Sequence, residues 1–225
     1  MISRILISSI LLFLACEAKS EKRHPLEVRY EEWLRGKIEL MNAQVQSAHN
    51  ELKNDLISLI SKSSEEIDEI TDSHQSLLKS SGVGANCLEE GLKQLAEVKN
   101  SSKHSFFTCA NLTTAMEDVG VIGWQVVNFV SKTLIYLDNI LNGLSDCTWN
   151  YYLPPVKCYV SYVYTAISDM SRFMYDVKTL LNSISIRASD IKNQISYCKN
   201  GPKNQIVVMA KNVINNAHLC KRLSK

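Results

Sequence analysis

The chain of 225 residues is 45% hydrophobic and 21% charged, and its 25 basic and 23 acidic side chains leave a net charge of +2. That length can bury a substantial core, while a near-neutral balance without a basic block excludes nucleic acid as the main partner, because phosphate binding requires clustered Lys and Arg. Only four prolines and eight glycines interrupt a sequence whose apolar residues recur at steps of three and four, which predicts an all-α class.

Met1-Ile2-Ser3-Arg4 followed by the apolar run Ile5 to Ala15, with small residues at Cys16 and Ala18, reads as a secretory signal peptide over residues 1–18. The run is too short to span about 30 Å of hydrocarbon, so no membrane span is expected in the mature chain, which would be secreted and extracellular. Its removal leaves six cysteines, and an even count in an exported chain reads as three disulfides.

Residues 19–82 form an N-terminal amphipathic, coiled-coil-like extension. Leu34, Ile38, Met41, Val45, Leu52 and Leu56 begin its apolar stripe, which continues through Ile67, Ile70 and Leu77. Ser63-Ser64-Glu65-Glu66 offers a capping box and predicts a break near residue 62. Such a stripe must be buried on the rest of the chain or on a second copy, so self-association through residues 26–80 is one expectation. Gly82 and Gly84 end this segment, and the domain of six cysteines follows over residues 87–220. A short helix is expected from Cys87 to Lys99, then a polar loop from Asn100 to Thr108. Asn100-Ser101-Ser102 and Asn111-Leu112-Thr113 are N-glycosylation acceptor triplets in an exported chain.

From Cys109 to Cys147, and again from Val156 to Cys198, apolar positions alternate steps of three and four. The first run passes through Met116, Thr133 and Leu144, the second through Met170, Met174 and Ile191. Two helices with such seams can pack knobs into holes. The first is also apolar off its seam at Val121, Trp124, Val127, Phe129, Ile135 and Leu141, which predicts a helix buried on most sides rather than a membrane span. Pro154-Pro155 marks the turn between them. Asn200-Gly201-Pro202 is read as the end of the returning helix, with a last short helix up to Cys220. The fold expected is a disulfide-stapled helical bundle built on a long antiparallel hairpin, with the long N-terminal helix attached.

Cys87, Cys109, Cys147, Cys158, Cys198 and Cys220 are separated by 22, 38, 11, 40 and 22 residues, nearly a mirror series about Leu153. A hairpin favours the nested pairs Cys147–Cys158, Cys109–Cys198 and Cys87–Cys220. Local closure, Cys87–Cys109 with Cys198–Cys220, is the rival.

Cys87-Leu88 opening a helix, Lys157-Cys158-Tyr159-Val160 after the aromatic tip, Ile184, Ala188 and Ile191 before Tyr197-Cys198, and the closing Cys220 resemble the TsetseEP domain family of exported insect proteins. Pro154-Pro155 and Asn200-Gly201-Pro202 depart from that pattern. The resemblance covers residues 87–220 and implies a secreted insect protein without an assigned activity.

No catalytic or metal-binding pattern is present. The five histidines fall on separate segments without a partner at i+3 or i+4, and there is no nucleophile elbow, phosphate loop or Cys-x-x-Cys pair. No catalytic residue, metal ligand or cofactor site is assigned, and an enzyme is not expected. Glu65, Glu66, Asp68 and Glu69 read as a solvated face. Trp149, Tyr151, Tyr152 and Tyr159 cluster at the predicted tip, either capping the core or forming a contact surface for another extracellular protein or a surface. The alternative is a carrier of a small hydrophobic ligand or lipid between the helices, with Met116, Met170 and Met174 lining the space.

Overall fold

A computed structural model of the chain describes residues 25–147 and 155–223. The expected signal peptide and the turn up to Pro154 lie outside the described residues. Four helices are formed: α1 (Pro25–Ser80), α2 (Ala85–Cys109), α3 (Leu112–Asp146) and α4 (Pro155–Leu223). Pro25 and Pro155 stand at first helical positions, where a missing N–H forfeits no intrahelical bond. The fold is all-α, α1 packs with α4, and the disulfides are the nested set Cys87–Cys220, Cys109–Cys198 and Cys147–Cys158.

Three expected breaks are absent, each for a local reason. Near residue 62, α1 is continuous: the buried Ser63 hydroxyl donates to the Leu59 carbonyl, and Glu66 reaches across to Lys199 instead of back to cap Ser63. Over residues 100–108, α2 continues because Val98, Ser102 and Phe106 carry its buried face onward, so packing overrides a polar stretch of weak propensity. At Pro202, α4 runs on although the ring removes the bond to the Cys198 carbonyl. Cys198, bridged to Cys109, lies before it and the fully buried Ile206 after it, while Lys199 and Lys203 straddle it on the same carboxylate, Glu66. Real breaks fall at Gly82, whose φ of +65° suits glycine, and at Asn111, with φ +45°, where only Ala110 and Asn111 separate α2 from α3.

The buried faces of the two long helices, α1 and α4, each carry a series at eleven residues, while α3 keeps a spacing of seven, with Leu112, Val119, Val126, Thr133, Ile140 and, just past its end, Cys147 all buried. Leu34, Val45, Leu56, Ile67 and Leu78 are all buried along α1, and Phe173, Ile184, Ile195, Ile206 and Ala217 are all buried along α4. Eleven residues make three turns at about 3.67 per turn, close to the natural helix, whereas a strict heptad drifts by about 20° per repeat unless the helices supercoil. The expected seams hold at Leu112, Val119, Val126, Thr133 and Ile140 of α3 and at Met170, Val177, Ile184 and Ile191 of α4, but Met116, Met174 and Leu77 are exposed, with Ala115, Phe173 and Leu78 buried beside them.

The chain divides into two compact units, one from 1–49 and 122–183, the other from 50–121 and 184–225. In the first, α1, α3 and α4 contribute Leu34, Ile38, Val126, Leu137, Met170 and Phe173 to the core. Tyr136 and Phe129 meet the Phe173 ring edge-on, and the Tyr162 ring lies against Gly143, where a Cβ would come within 2.4 Å of it. The buried Thr133 hydroxyl lies 2.9 Å from both the Val130 carbonyl and the Asn42 amide oxygen. Its single proton serves one acceptor, so with the Asn42 amide turned over, Thr133 donates to Val130 and accepts from the Asn42 nitrogen. In the second unit, α2 runs antiparallel to α1, with Lys99 and Lys103 on Asp68, and Gly91 admits Leu78 and Ala217 so closely that a Cβ would lie 2.7 Å from Leu78.

Thr133→Val strands the Asn42 amide in the core and is expected to cost about 1–3 kcal/mol in equilibrium denaturation. Adding Asn42→Leu should recover part of the loss, giving a coupling that a double-mutant cycle measures; strict additivity would exclude the bond.

Candidate interaction surface

Of the residues expected at an aromatic contact surface, Trp149, Tyr151 and Tyr152 lie outside the described residues, and Tyr159 is half-buried near the start of α4. Asn100 is exposed on α2 with Ser102 of its triplet buried; Asn111 is exposed at the turn into α3, its side-chain oxygen accepting from the Thr114 hydroxyl. His49 packs against Gly123, and His74 bonds the Ile70 carbonyl. Among the described residues no three His, Cys, Asp or Glu side chains gather as a metal site. Burial pushes the Tyr30 phenol up to about 12 and raises that of Tyr136 too, with the charge of Asp169 adding to it.

α3 presents another surface, one that was expected to be core. α3 buries Ile122, Val126, Phe129 and Thr133 on one face and leaves Val127, Trp124 and Ile135 on the opposite face, 65, 68 and 60% exposed. Val121 is exposed as well, and Leu141 half-buried, so α3 is not buried on most sides. The reason is the number of neighbours. Among the described residues the first unit has only three helical segments, and a helix in such a group can bury only one face. Hydropathy shows that a face is apolar, not whether a neighbour is available to cover it. From Val119 to Ser131 the helix carries no charged residue, and Val121, Trp124 and Val127 are exposed there beside the uncharged Gln125, Asn128 and Ser131; Lys132, paired with Asp176, precedes the exposed Leu134 and Ile135. Among the described residues no helix is long and apolar enough to cross a membrane.

The acidic residues of α1 serve another purpose. Asp68 takes Lys99 and Lys103 from α2, and Glu66 takes Lys199 and Lys203 from α4. Only Glu65 and Glu69 of the predicted solvated face are exposed; Glu66 and Asp68 are half-buried clamps between helices. Beside them, Ser63, Ile67, Phe106 and Lys199 line a cavity of about 10 Å³, the size of a water. A shallow depression of about 600 Å³ at the end of α4, lined by Asn215, His218, Leu219, Lys221 and Arg222, is open to solvent rather than enclosed between helices.

No family model, curated protein or solved structure matches the chain. The class defined by fold and geometry is thus a disulfide-bonded α-helical protein, and its surfaces must carry the functional argument.

Hydrogen bonds from Lys199, with Lys203 nearby, hold the Glu66 carboxyl below its ordinary 4.5, and bonds from Lys103 and Lys99 hold Asp68 below 3.8. Folded values depressed in this way give stability that is present above the ordinary values and lost as pH falls through the folded ones. Thermal melts should therefore be flat above about pH 5 and decline below about pH 4. Because the pairs are partly exposed, each is worth at most about 1 kcal/mol, and Asp68→Asn should shrink the acid-dependent part of the decline. An unchanged profile in that variant would show the clamp to be inert.

Proposed function

We propose that the chain is a non-enzymatic extracellular binding module that docks another protein or a surface through the outer face of α3. The observation that carries the reading is the uncharged, apolar face with Trp124 at its centre, 68% exposed. Tryptophan dominates binding hot spots, and an exposed apolar patch on a soluble-facing helix marks an interaction site more often than an accident of composition. Three disulfides call for an oxidising compartment, and residues 1–18, read as a signal peptide, supply the route out of the cell. The TsetseEP-like cysteine pattern accords with an exported insect protein and adds no activity. On this reading the exposed Asn100 and Asn111 carry glycans. Self-association through the main apolar stripe of α1 is disfavoured, since Leu34 to Leu78 already lie inside the chain's own core.

Trp124→Ser with Val127→Ser tests the proposal. Both side chains are exposed, so the thermal melt should move little, while retention of a partner from the native extracellular fluid should fall at least tenfold (about 1.4 kcal/mol). Equal retention by the variant would rule out this face. A lipid or other hydrophobe bound stoichiometrically in native mass spectrometry would favour the carrier reading instead.

A further inference from the structure

A different face, on α4, has a pattern of its own. Ile186, Tyr197, Val208 and Leu219 are exposed, with Tyr197 79% so, and each follows the last at eleven residues; Tyr164 and Tyr175 precede them at the same interval. Successive members stand about 16 Å apart along the axis and the four from Ile186 to Leu219 cover about 50 Å. Asn193, Asn204 and Asn215 are exposed between them, also at eleven residues. The basic residues that flank this face are turned away to partners within the same unit: Arg187 to Asp118, Lys192 to Asp55, Lys199 and Lys203 to Glu66. Two charges remain on the face, Asp190 and Lys211, both exposed and neither with an ion-pair partner among the described residues.

We infer that the face of α4 from Ile186 to Asn215 pairs antiparallel with the same face of a second copy, about a two-fold axis at Asn200-Gly201. The residue numbers select that axis. Asp190 and Lys211 are equidistant from it, so each copy's Asp190 meets the other's Lys211 and the face is neutralised twice. The same register sets Ile186 opposite Asn215, Val208 opposite Asn193 and Tyr197 opposite Asn204, so three of the four large apolar side chains face a gap held by an amide and Leu219 lies just beyond the paired stretch. An isologous contact of this kind requires a self-complementary patch. Asparagine, carrying both donor and acceptor, has that property, and so does a face whose only charges are one of each sign. Gly201, exposed and with nothing within 4 Å of where a Cβ would stand, lets the backbones approach at the axis. Over the paired stretch from Ile186 to Asn215, a helix face about 12 Å wide and about 44 Å long offers roughly 500 Å² per copy, below the roughly 800 Å² per partner of a standard interface and of the size of a weak, reversible one.

Sedimentation equilibrium on the full chain with its disulfides formed is the test. A reversible dimer is expected, and carbodiimide should link Asp190 of one copy to Lys211 of the other. Asp190→Lys places like charges together and should weaken the dimer about tenfold, while Asp190→Lys with Lys211→Asp restores it to within about threefold of the parent. Circular dichroism of the exposed-site variants should remain that of the parent. A monomer at all concentrations, a dimer indifferent to Asp190→Lys, or a double variant no better than the single one would each overturn the inference.

Discussion

The two long helices, of 56 and 69 residues, depend on burying apolar side chains every eleven residues along their length. A helix this long keeps one face toward its neighbours either by supercoiling or by a repeat that matches its own twist, and three turns per eleven residues does the latter almost without drift. Leu34 to Leu78 and Phe173 to Ala217 satisfy that condition without a missed position, which is why neither Ser63 nor Pro202 stops its helix. Each buried Leu or Ile contributes roughly 1.5–3 kcal/mol, enough for a few consecutive positions to offset the roughly 3 kcal/mol that an interior proline costs.

The disulfides act on the same alignment from the unfolded side. Cys87–Cys220 and Cys109–Cys198 close long loops, with sequence separations of 133 and 89, and in the chain-entropy view each removes about 4 to 5 kcal/mol of freedom from the unfolded chain. Cys147–Cys158 spans only 11 residues and constrains less. Lysine–carboxylate clamps and the Asn42–Thr133 bond add little energy by comparison. What they supply is choice among registers, because a slip of one turn would separate Glu66 from Lys199 and leave a buried amide unpaired.

The helical class and the cysteine frame were legible because both depend on spacing, which a sequence records directly. The continuity of α2 through Lys103 and His104 was not, since it rests on Phe106 finding a core supplied by distant residues. Leu77 and Leu78, or Met174 and Phe173, are adjacent apolar pairs, and only the true period says which of each is inside. The 52-to-56 step that breaks a heptad in α1 was the available signal, because a four-residue insertion into a heptad makes an eleven. The outward face of α3 was hidden for a different reason: its composition fits burial, and exposure follows from how few helices surround it. The candidate surface was therefore present in the sequence as residues but not as a surface.

The central claim is which face of each helix is buried, and the methionines report on it without any substitution. Brief peroxide treatment of the native protein, followed by peptide mass spectrometry, reads sulfoxide formation residue by residue. Met116 and Met174, 63 and 62% exposed, should oxidise rapidly while Met41 and Met170, each 5% exposed, remain protected until the protein is denatured. Protection of Met116 and Met174 together with Met170 would place Met116 on the buried face of α3 and Met174 on that of α4, and contradict the account.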